Sequence, residues 1–428
     1  MLRKAMIWSF IAAAVLSPLV RAEEKPAPRL KLIFVERFRF EAWDNAVNLD
    51  DAAGDNFGYT RNRTTLGLRW LAAKNIEILG KVTNEFRVYL APKDRAFNGH
   101  EIFFDNLYVK WTVPGRLPFT ITAGRQDINL GEGFVIADGT PGDGSRSYYF
   151  NALRVDADIH KNHKLIFFLH AQETTDRYLP VINERFQALV EQPEKGLALY
   201  YTGNFGKMKL DAYAIRKTTD ETERWPVAGR TDTFGARAQV PILRPLMLTA
   251  EGAVQTGTYG AAGRSAFGGI AHLDYTPEWS VPYLKTLTLG GIYLSGDDPA
   301  TARMEGWDPI FSRWPKWSES YIYTLTRESR SSYWSNLTSL YGSLILDFGS
   351  RSDGLLMFQR MGAVEAQPGV FPGGSGLGRG TLLKGRLNYK ISKFLTGRVI
   401  WEHFIPGSFY FPGAASYNWL QFEMIFRY

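Results

Sequence analysis

Along most of the chain the side chains alternate in character. Within Leu30–Trp43, Phe34, Phe38 and Phe40 share one side, while Arg37, Arg39 and Glu41 share the other. Arg61–Trp70 repeats the pattern, with Leu66, Leu68 and Trp70 set against Arg61, Arg63, Thr65 and Arg69. Lys384–Ile391 does so again, with Leu387, Tyr389 and Ile391 against Lys384, Arg386, Asn388 and Lys390. A period of two over eight or more residues marks a strand with one apolar and one polar face. Eighteen such segments are read, near 30–43, 60–72, 76–90, 101–113, 117–126, 151–160, 164–174, 195–203, 207–217, 231–241, 245–257, 264–277, 284–296, 334–348, 352–364, 379–391, 394–405 and 416–428. The best helix candidate, Val181–Val190, spans about two turns at 3.6 residues per turn.

The connections alternate in length. Ala73–Asn75, Pro114–Arg116, Lys161–His163, Asn204–Gly206 and Ile242–Arg244 are short; Asp127–Phe150, Thr175–Glu194, Asp297–Tyr333 and Glu365–Gly378 are long. Short turns at one end and long loops at the other predict an all-β fold: one closed transmembrane antiparallel barrel of about 18 strands, with short periplasmic turns and long extracellular loops. In hydrocarbon every backbone N–H and C=O must be satisfied within the protein, so strands cross only as a closed barrel. Both termini are then expected to be periplasmic. A soluble β-sandwich fits less well, because no linker or composition shift divides the chain. Phe422, Met424, Phe426 and the terminal Tyr428 alternate, an ending similar to the insertion signal read by the barrel-assembly machinery.

Residues 1–22 read differently. Arg3 and Lys4 precede an apolar run from Ala5 to Val20, and Val20-Arg21-Ala22 forms a small-residue exit, the layout of a secretory signal peptide. The expected division is a signal peptide over 1–22 and a barrel over 23–428. The formal charge of the 428-residue chain is +7, and removal of Arg3, Lys4 and Arg21 leaves +4. The absence of cysteine suits export to an oxidising compartment. Aromatic residues make up 14% of the chain, too many for a disordered one. The mean hydropathy of −0.21 excludes a bundle of apolar helices but fits a barrel in which alternate residues face water.

If the aromatic side faces lipid, the polar side lines the lumen. That side carries Arg37, Arg39, Arg61, Arg63, Arg69, Lys81, Arg87, Lys110, Arg154, Lys209, Arg237, Lys384, Arg386, Lys390, Arg398 and Arg427. Its acids are Glu41, Glu85, Asp156, Asp158, Asp211, Glu251, Glu402 and Glu423. In a closed barrel the first and last strands are neighbours, so the arginines of both ends converge on one wall. Such a wall focuses positive potential and recruits anions, and arginine's fork matches carboxylates. The competing reading is a structural ladder in which these residues pair and stiffen the lumen.

The segments Arg37-Phe38-Arg39-Phe40-Glu41-Ala42-Trp43-Asp44-Asn45, Arg61-Asn62-Arg63-Thr64-Thr65-Leu66-Gly67-Leu68 and Gly124-Arg125-Gln126-Asp127-Ile128 with Gly131-Glu132-Gly133-Phe134 resemble the alginate export family of outer-membrane β-barrels. The resemblance implies an 18-stranded monomeric barrel whose basic lumen passes a polyuronate. It implies that Arg37, Arg39, Arg61, Arg63 and Arg125 face the polymer, and that a periplasmic helical-repeat scaffold is a separate partner. Family members often carry an arginine soon after Gly-Arg-Gln, where this chain has Gly131-Glu132-Gly133-Phe134.

Other chemistry is weaker. Asp138 and Asp143 in Asp138–Gly144 are calcium candidates, though turn chemistry explains the segment equally well. Gly373–Gly380 lacks the Lys-Ser/Thr of a phosphate loop. The six histidines show no zincin spacing, and an outer-membrane esterase using His170 has no serine to single out. No cofactor and no enzymatic activity are expected. The basic residues lack interleaved stacking aromatics, which argues against nucleic acid. Trp43, Trp70, Trp111, Trp401, Trp419 and Tyr428 are read as aromatic girdles at the membrane interfaces. Trp307, Trp314 and Trp317 either contact saccharide or pack a loop core.

The reading is therefore an outer-membrane channel passing an anionic polysaccharide, alginate or a similar polyuronate, along Arg37, Arg39, Arg61, Arg63, Arg69, Arg87, Arg125, Arg154, Lys384, Arg386 and Arg398. The alternative is an anion-selective diffusion porin taking up acidic oligosaccharides. Asp127–Phe150 and Thr175–Glu194 are candidates to plug the lumen. A narrow gated pore favours export, and a permanently open one favours uptake.

Overall fold

The computed structural model describes residues 29–54, 56–95, 98–137, 149–183, 188–278, 281–312, 317–321, 334–367 and 374–428. The expected signal peptide over 1–22, Asp138, Asp143 and Trp314 lie outside the described residues. The strands in chain order are β1 (Leu30–Asp44), β2 (Phe57–Ala73), β3 (Ile76–Ala91), β4 (Asn98–Val113), β5 (Phe119–Gln126), β6 (Phe150–His160), β7 (His163–Gln172), β8 (Val181–Ile182), β9 (Glu194–Phe205), β10 (Met208–Thr219), β11 (Gly229–Leu243), β12 (Leu246–Tyr259), β13 (Ala262–Tyr275), β14 (Leu284–Leu294), β15 (Leu337–Asp347), β16 (Ser352–Gly362), β17 (Gly378–Lys390), β18 (Leu395–Pro406) and β19 (Tyr417–Arg427).

Apart from the two-residue β8, these strands form one antiparallel wall of eighteen, each paired with the next, and β19 closes on β1 with Val35 opposite Arg427. Closure leaves no open edge, as a bilayer demands. The wall strands match the expected segments. The helix candidate Val181–Val190 is corrected: it opens as β8, with Ile182 opposite Ile102 and Val181 opposite Phe103 of β4. The reason is the shortness of β5, whose Arg125 pairs with Leu107 and which ends at Gln126. Above that point β4 needs another backbone partner, and β8 supplies it.

The alternation sorts as expected. Leu68, Val109, Leu153, Phe234, Val254, Phe267, Leu289, Leu340 and Phe358 are exposed on the outer face. Glu36 breaks that pattern; it shares the outward side with Phe34 and accepts a hydrogen bond from Thr64 at 2.6 Å. Connection lengths alternate with two exceptions. β12 and β13 meet in a tight turn at the long-loop end, and 276–283 is long for the other. Trp70, Trp111, Trp401 and Tyr428 are exposed on the outer side, Trp401 in the middle of β18 and not at a strand end; the girdle reading is corrected for Trp43 and Trp419, which are buried. Their parity explains it: Trp43 follows Arg39 and Glu41, and Trp419 precedes Gln421 and Glu423, so both point inward.

The interior carries an apolar core that alternation did not anticipate. Ile128, Phe134, Ile136, Trp307, Phe311, Tyr321, Trp334 and Tyr410, all from connections at the long-loop end, are buried together with wall residues. Trp307 stacks on Phe134 at 5.2 Å, and Trp317 meets Trp334 edge-on at 5.5 Å. These tryptophans pack the loop core. The long loops therefore fold into that end of the barrel.

Candidate functional site

The wall formed by β17, β18, β19, β1, β2 and β3 brings the predicted arginines together. Register sets an electrostatic problem there. Arg37 lies opposite Arg63, and Arg39 opposite Arg61; like charges directly across a strand pair repel. Glutamates interleave to resolve it. Glu423 lies opposite Arg39 on β19, and Glu85 opposite Arg63 on β3. The result is a continuous chain: Arg398 to Glu423 at 3.0 Å, Glu423 to Arg39 at 2.7 Å, Arg39 to Glu41 at 3.5 Å, Glu41 to Arg61 at 3.1 Å and Arg61 to Glu85 at 3.3 Å. Glu85 also meets Arg37 at 3.1 Å and Arg63 at 3.7 Å, and Arg63 reaches Asp105 at 2.8 Å. Arg39 and Arg61 are fully buried. Arg87 completes the wall by stacking over Tyr59 at 5.0 Å, and the Tyr59 hydroxyl donates to Glu41 at 2.8 Å.

The remaining predicted residues are placed as follows. Arg69 stands half-exposed near the short-turn end, 2.5 Å from Glu77. Arg154 pairs with Asp156 at 2.6 Å. Lys384 lies 3.2 Å from Glu402, and Glu402 is also hydrogen-bonded by Ser318 and Ser320 of the long 295–336 connection. Arg386 is luminal and makes no ion pair among the described residues, its Nε lacking any partner. Arg125 is buried and binds Asp176 through two nitrogens at 2.6 and 2.8 Å, with Tyr149 under its guanidinium at 3.9 Å. Gly124 makes that possible in the main chain. Its φ of +123° and the crowding of Leu107 and Tyr108 leave no room for a Cβ.

The segment after β5 crosses the lumen. Glu132 meets Arg237 of β11 at 3.4 Å and His272 of β13 at 3.0 Å, on the far side from its own strand. Arg237 is held in turn by Asp211 at 3.0 Å. Gly131, with φ +59°, passes so close to the wall that a Cβ would meet the Tyr200 hydroxyl at 3.0 Å. The crossing segment joins the 295–336 connection through the bridge Ile136–Phe311 and the hydrogen bond from Ser312 Oγ to the Gly133 carbonyl. Asp308 of that connection is anchored by Lys217 at 2.5 Å. Burial pushes the Asp308 carboxyl up, but Lys217 and Arg264 outweigh it and hold it below the usual carboxylate range.

Several partners were missed by alternation. Asp105 sits at a register shift between Lys81↔Asn106 and Val82↔Phe104, and that bulge lets it reach an inward arginine. Asp176, Glu132 and Asp308 lie in loops, where period carries no signal. Once ion pairs are set aside, the luminal cations Lys81, Lys209, Arg386, Lys390 and Arg427 have no paired carboxylate among the described residues, and Lys110 makes no close ion pair but lies opposite Glu77 on β3. Lys390 and Arg427, with Lys285 and Arg351, line a luminal cavity of about 480 Å³ at the short-turn end.

No protein-family model and no curated protein matches the chain. Solved structures match it in fold. OccK5 (OpdH) of Pseudomonas aeruginosa is 12% identical with a TM-score of 0.57, over 93% of this chain and 97% of that one. OccK2 (OpdF) of the same organism, solved in complex with glucuronate, is 13% identical with a TM-score of 0.57, over 93% and 97%. OccAB3 of Acinetobacter baumannii is 12% identical with a TM-score of 0.59, over 93% and 99%. The shared architecture is that of an outer-membrane β-barrel of the porin type, and its place is the outer membrane of a Gram-negative cell.

Proposed function

We propose that this barrel is a passive, anion-selective outer-membrane channel for uptake of small acidic solutes. The observation that carries the reading is the set of luminal cations without an ion pair, together with the excess of cations at one cavity, where Lys285, Arg351, Lys390, Arg398 and Arg427 stand against Asp347, Asp353 and Glu423. Low-dielectric walls focus their potential into the aqueous path. On this reading the paired wall of Arg37, Arg39, Arg61, Arg63 and Arg398 shapes the lumen, while the unpaired cations make the passing contacts. Several moderate contacts let a solute enter and leave, whereas one tight site would trap it. The fold it shares with OccK2, which binds glucuronate in its solved complex, supports an acidic solute.

Export of an anionic polysaccharide such as alginate is the second reading. The crossing segment favours it, because a conduit for polymer needs a narrowed, closable lumen. Planar-bilayer recordings under a salt gradient test the electrostatics: the reversal potential is expected to show anion preference, and Lys390→Gln with Arg427→Gln is expected to reduce it. Cation preference in the unaltered channel would refute the proposal. Current block by monomeric uronate favours uptake; block only by long polyuronate favours export.

A further inference from the structure

A recess of about 370 Å³ opens from the lumen into the wall between β3 and β7. Lys81 comes from β3, Asn106, Tyr108 and Lys110 from β4, and Thr120 and Thr122 from β5, all on inward positions. Two chemistries meet there. Lys81 donates to the neutral Asn106 Oδ1 at 2.9 Å, which leaves its charge uncompensated. Lys110 lies opposite Glu77 on β3, but that carboxylate is bonded by Arg69 and Tyr108, and Lys110 makes no close ion pair among the described residues. Across the recess Arg154 and Asp156 neutralise each other at 2.6 Å, and Lys164 is 3.6 Å from Asp158. Asp127 is the remaining carboxylate of the lining, so cations are in excess. Beside them stand uncharged groups. The Tyr108 hydroxyl donates a hydrogen bond to Glu77 at 3.1 Å and keeps its oxygen lone pairs as acceptors. Threonine hydroxyls both donate and accept, and those of Thr120 and Thr112 lie 3.3 Å apart.

We propose that this recess binds one small hydroxy-carboxylate, its carboxylate held by Lys81 and Lys110 and its hydroxyls by the amide and hydroxyl groups of β4 and β5. The volume lies near the lower end for small-molecule sites, about 300–1,000 Å³. That suits a single sugar-acid-sized solute seated against the wall, and not a polymer threading the lumen. The proposal rests on the anion-channel reading and adds the solute class and the place where it pauses.

Single-channel recordings with gluconate, hexanoate and glucose test it. Gluconate is expected to occlude the channel longest, since hexanoate lacks the hydroxyls and glucose lacks the charge. Lys81→Gln with Lys110→Gln is expected to shorten gluconate residence about tenfold, the scale of a lost charge-assisted hydrogen bond. Thr122→Val is expected to shorten gluconate residence and leave hexanoate unchanged. A heat-shifted gel band confirms that each variant is a folded barrel, and Lys110→Gln alone serves if the double variant does not assemble. Equal residence of gluconate and hexanoate, or no change in the lysine variants, overturns the recess while anion preference is retained. Loss of anion preference in the unaltered channel refutes the channel reading itself.

Discussion

Arg39 shows how a luminal charge is used in this barrel. Its guanidinium is fully buried and bonds Glu423 through two nitrogens, at 2.7 and 2.9 Å. Removing one partner of such a pair strands the other in a poorly solvated site. Arg39→Ala is therefore expected to cost about 3–5 kcal/mol, read as a lowered midpoint of denaturant unfolding in vesicles. Arg69→Gln, on a half-exposed pair, is expected to cost less than about 1 kcal/mol; equal losses at the two positions would contradict the contrast. The same geometry decides how selectivity must be probed. Turning Arg37, Arg39, Arg61 and Arg63 into glutamates would place four carboxylates among Glu41, Glu85 and Glu423, and assembly would fail before selectivity could be read. The informative substitutions are at cations without carboxylate partners. The inward side of each of these residues was legible from period two, whereas their pairing was not, because Asp105 enters through a bulge and Glu423 through closure.

At the scale of elements, two connections govern the lumen. The segment after β5 is tied across it by Glu132, so Glu132→Ala is expected to loosen that tie by about 2 kcal/mol and raise single-channel conductance. Unchanged conductance would mean that the packing of Ile136 and Phe134 alone holds the crossing. The 295–336 connection is tied by Asp308 to Lys217. A carboxyl held below its usual range stabilises docking fully above the unfolded value, about 3.9, and loses that contribution as pH falls through the lower folded value. Trp307 fluorescence is therefore expected to stay constant down to about pH 4 and change only in more acid solution; a transition above pH 5 would contradict it. The chain flanking Gly131 and Glu132, singled out by a family resemblance, became this crossing segment. Its glutamate, where an arginine is common in that family, is the residue that bonds Arg237 and His272.

For the whole molecule, charge matters by arrangement more than by total. The formal +7 includes Arg3, Lys4 and Arg21, outside the barrel wall, and most luminal arginines are paired. The cations at the short-turn end, which outnumber Asp347, Asp353 and Glu423 there, then set the sign of the field. Exposed charges are screened over about 10 Å at 0.1 M salt and about 3 Å at 1 M. Anion preference is accordingly expected to fall between those concentrations; a salt-independent preference would place the selectivity filter among the buried pairs instead.

The sequence by itself determined the strands, their two faces and the closed barrel. Alternation is a local property, and a bilayer offers alternating strands only one way to satisfy their backbone. It also determined which arginines face inward, because parity is counted along a single strand. Only the tertiary structure decided that those arginines are neutralised, that Trp43 and Trp419 pack inside, and that the lumen is crossed at Glu132. These depend on register between strands and on loops returning into the barrel. Both are set by contacts between residues far apart in the chain, which carry no period to read.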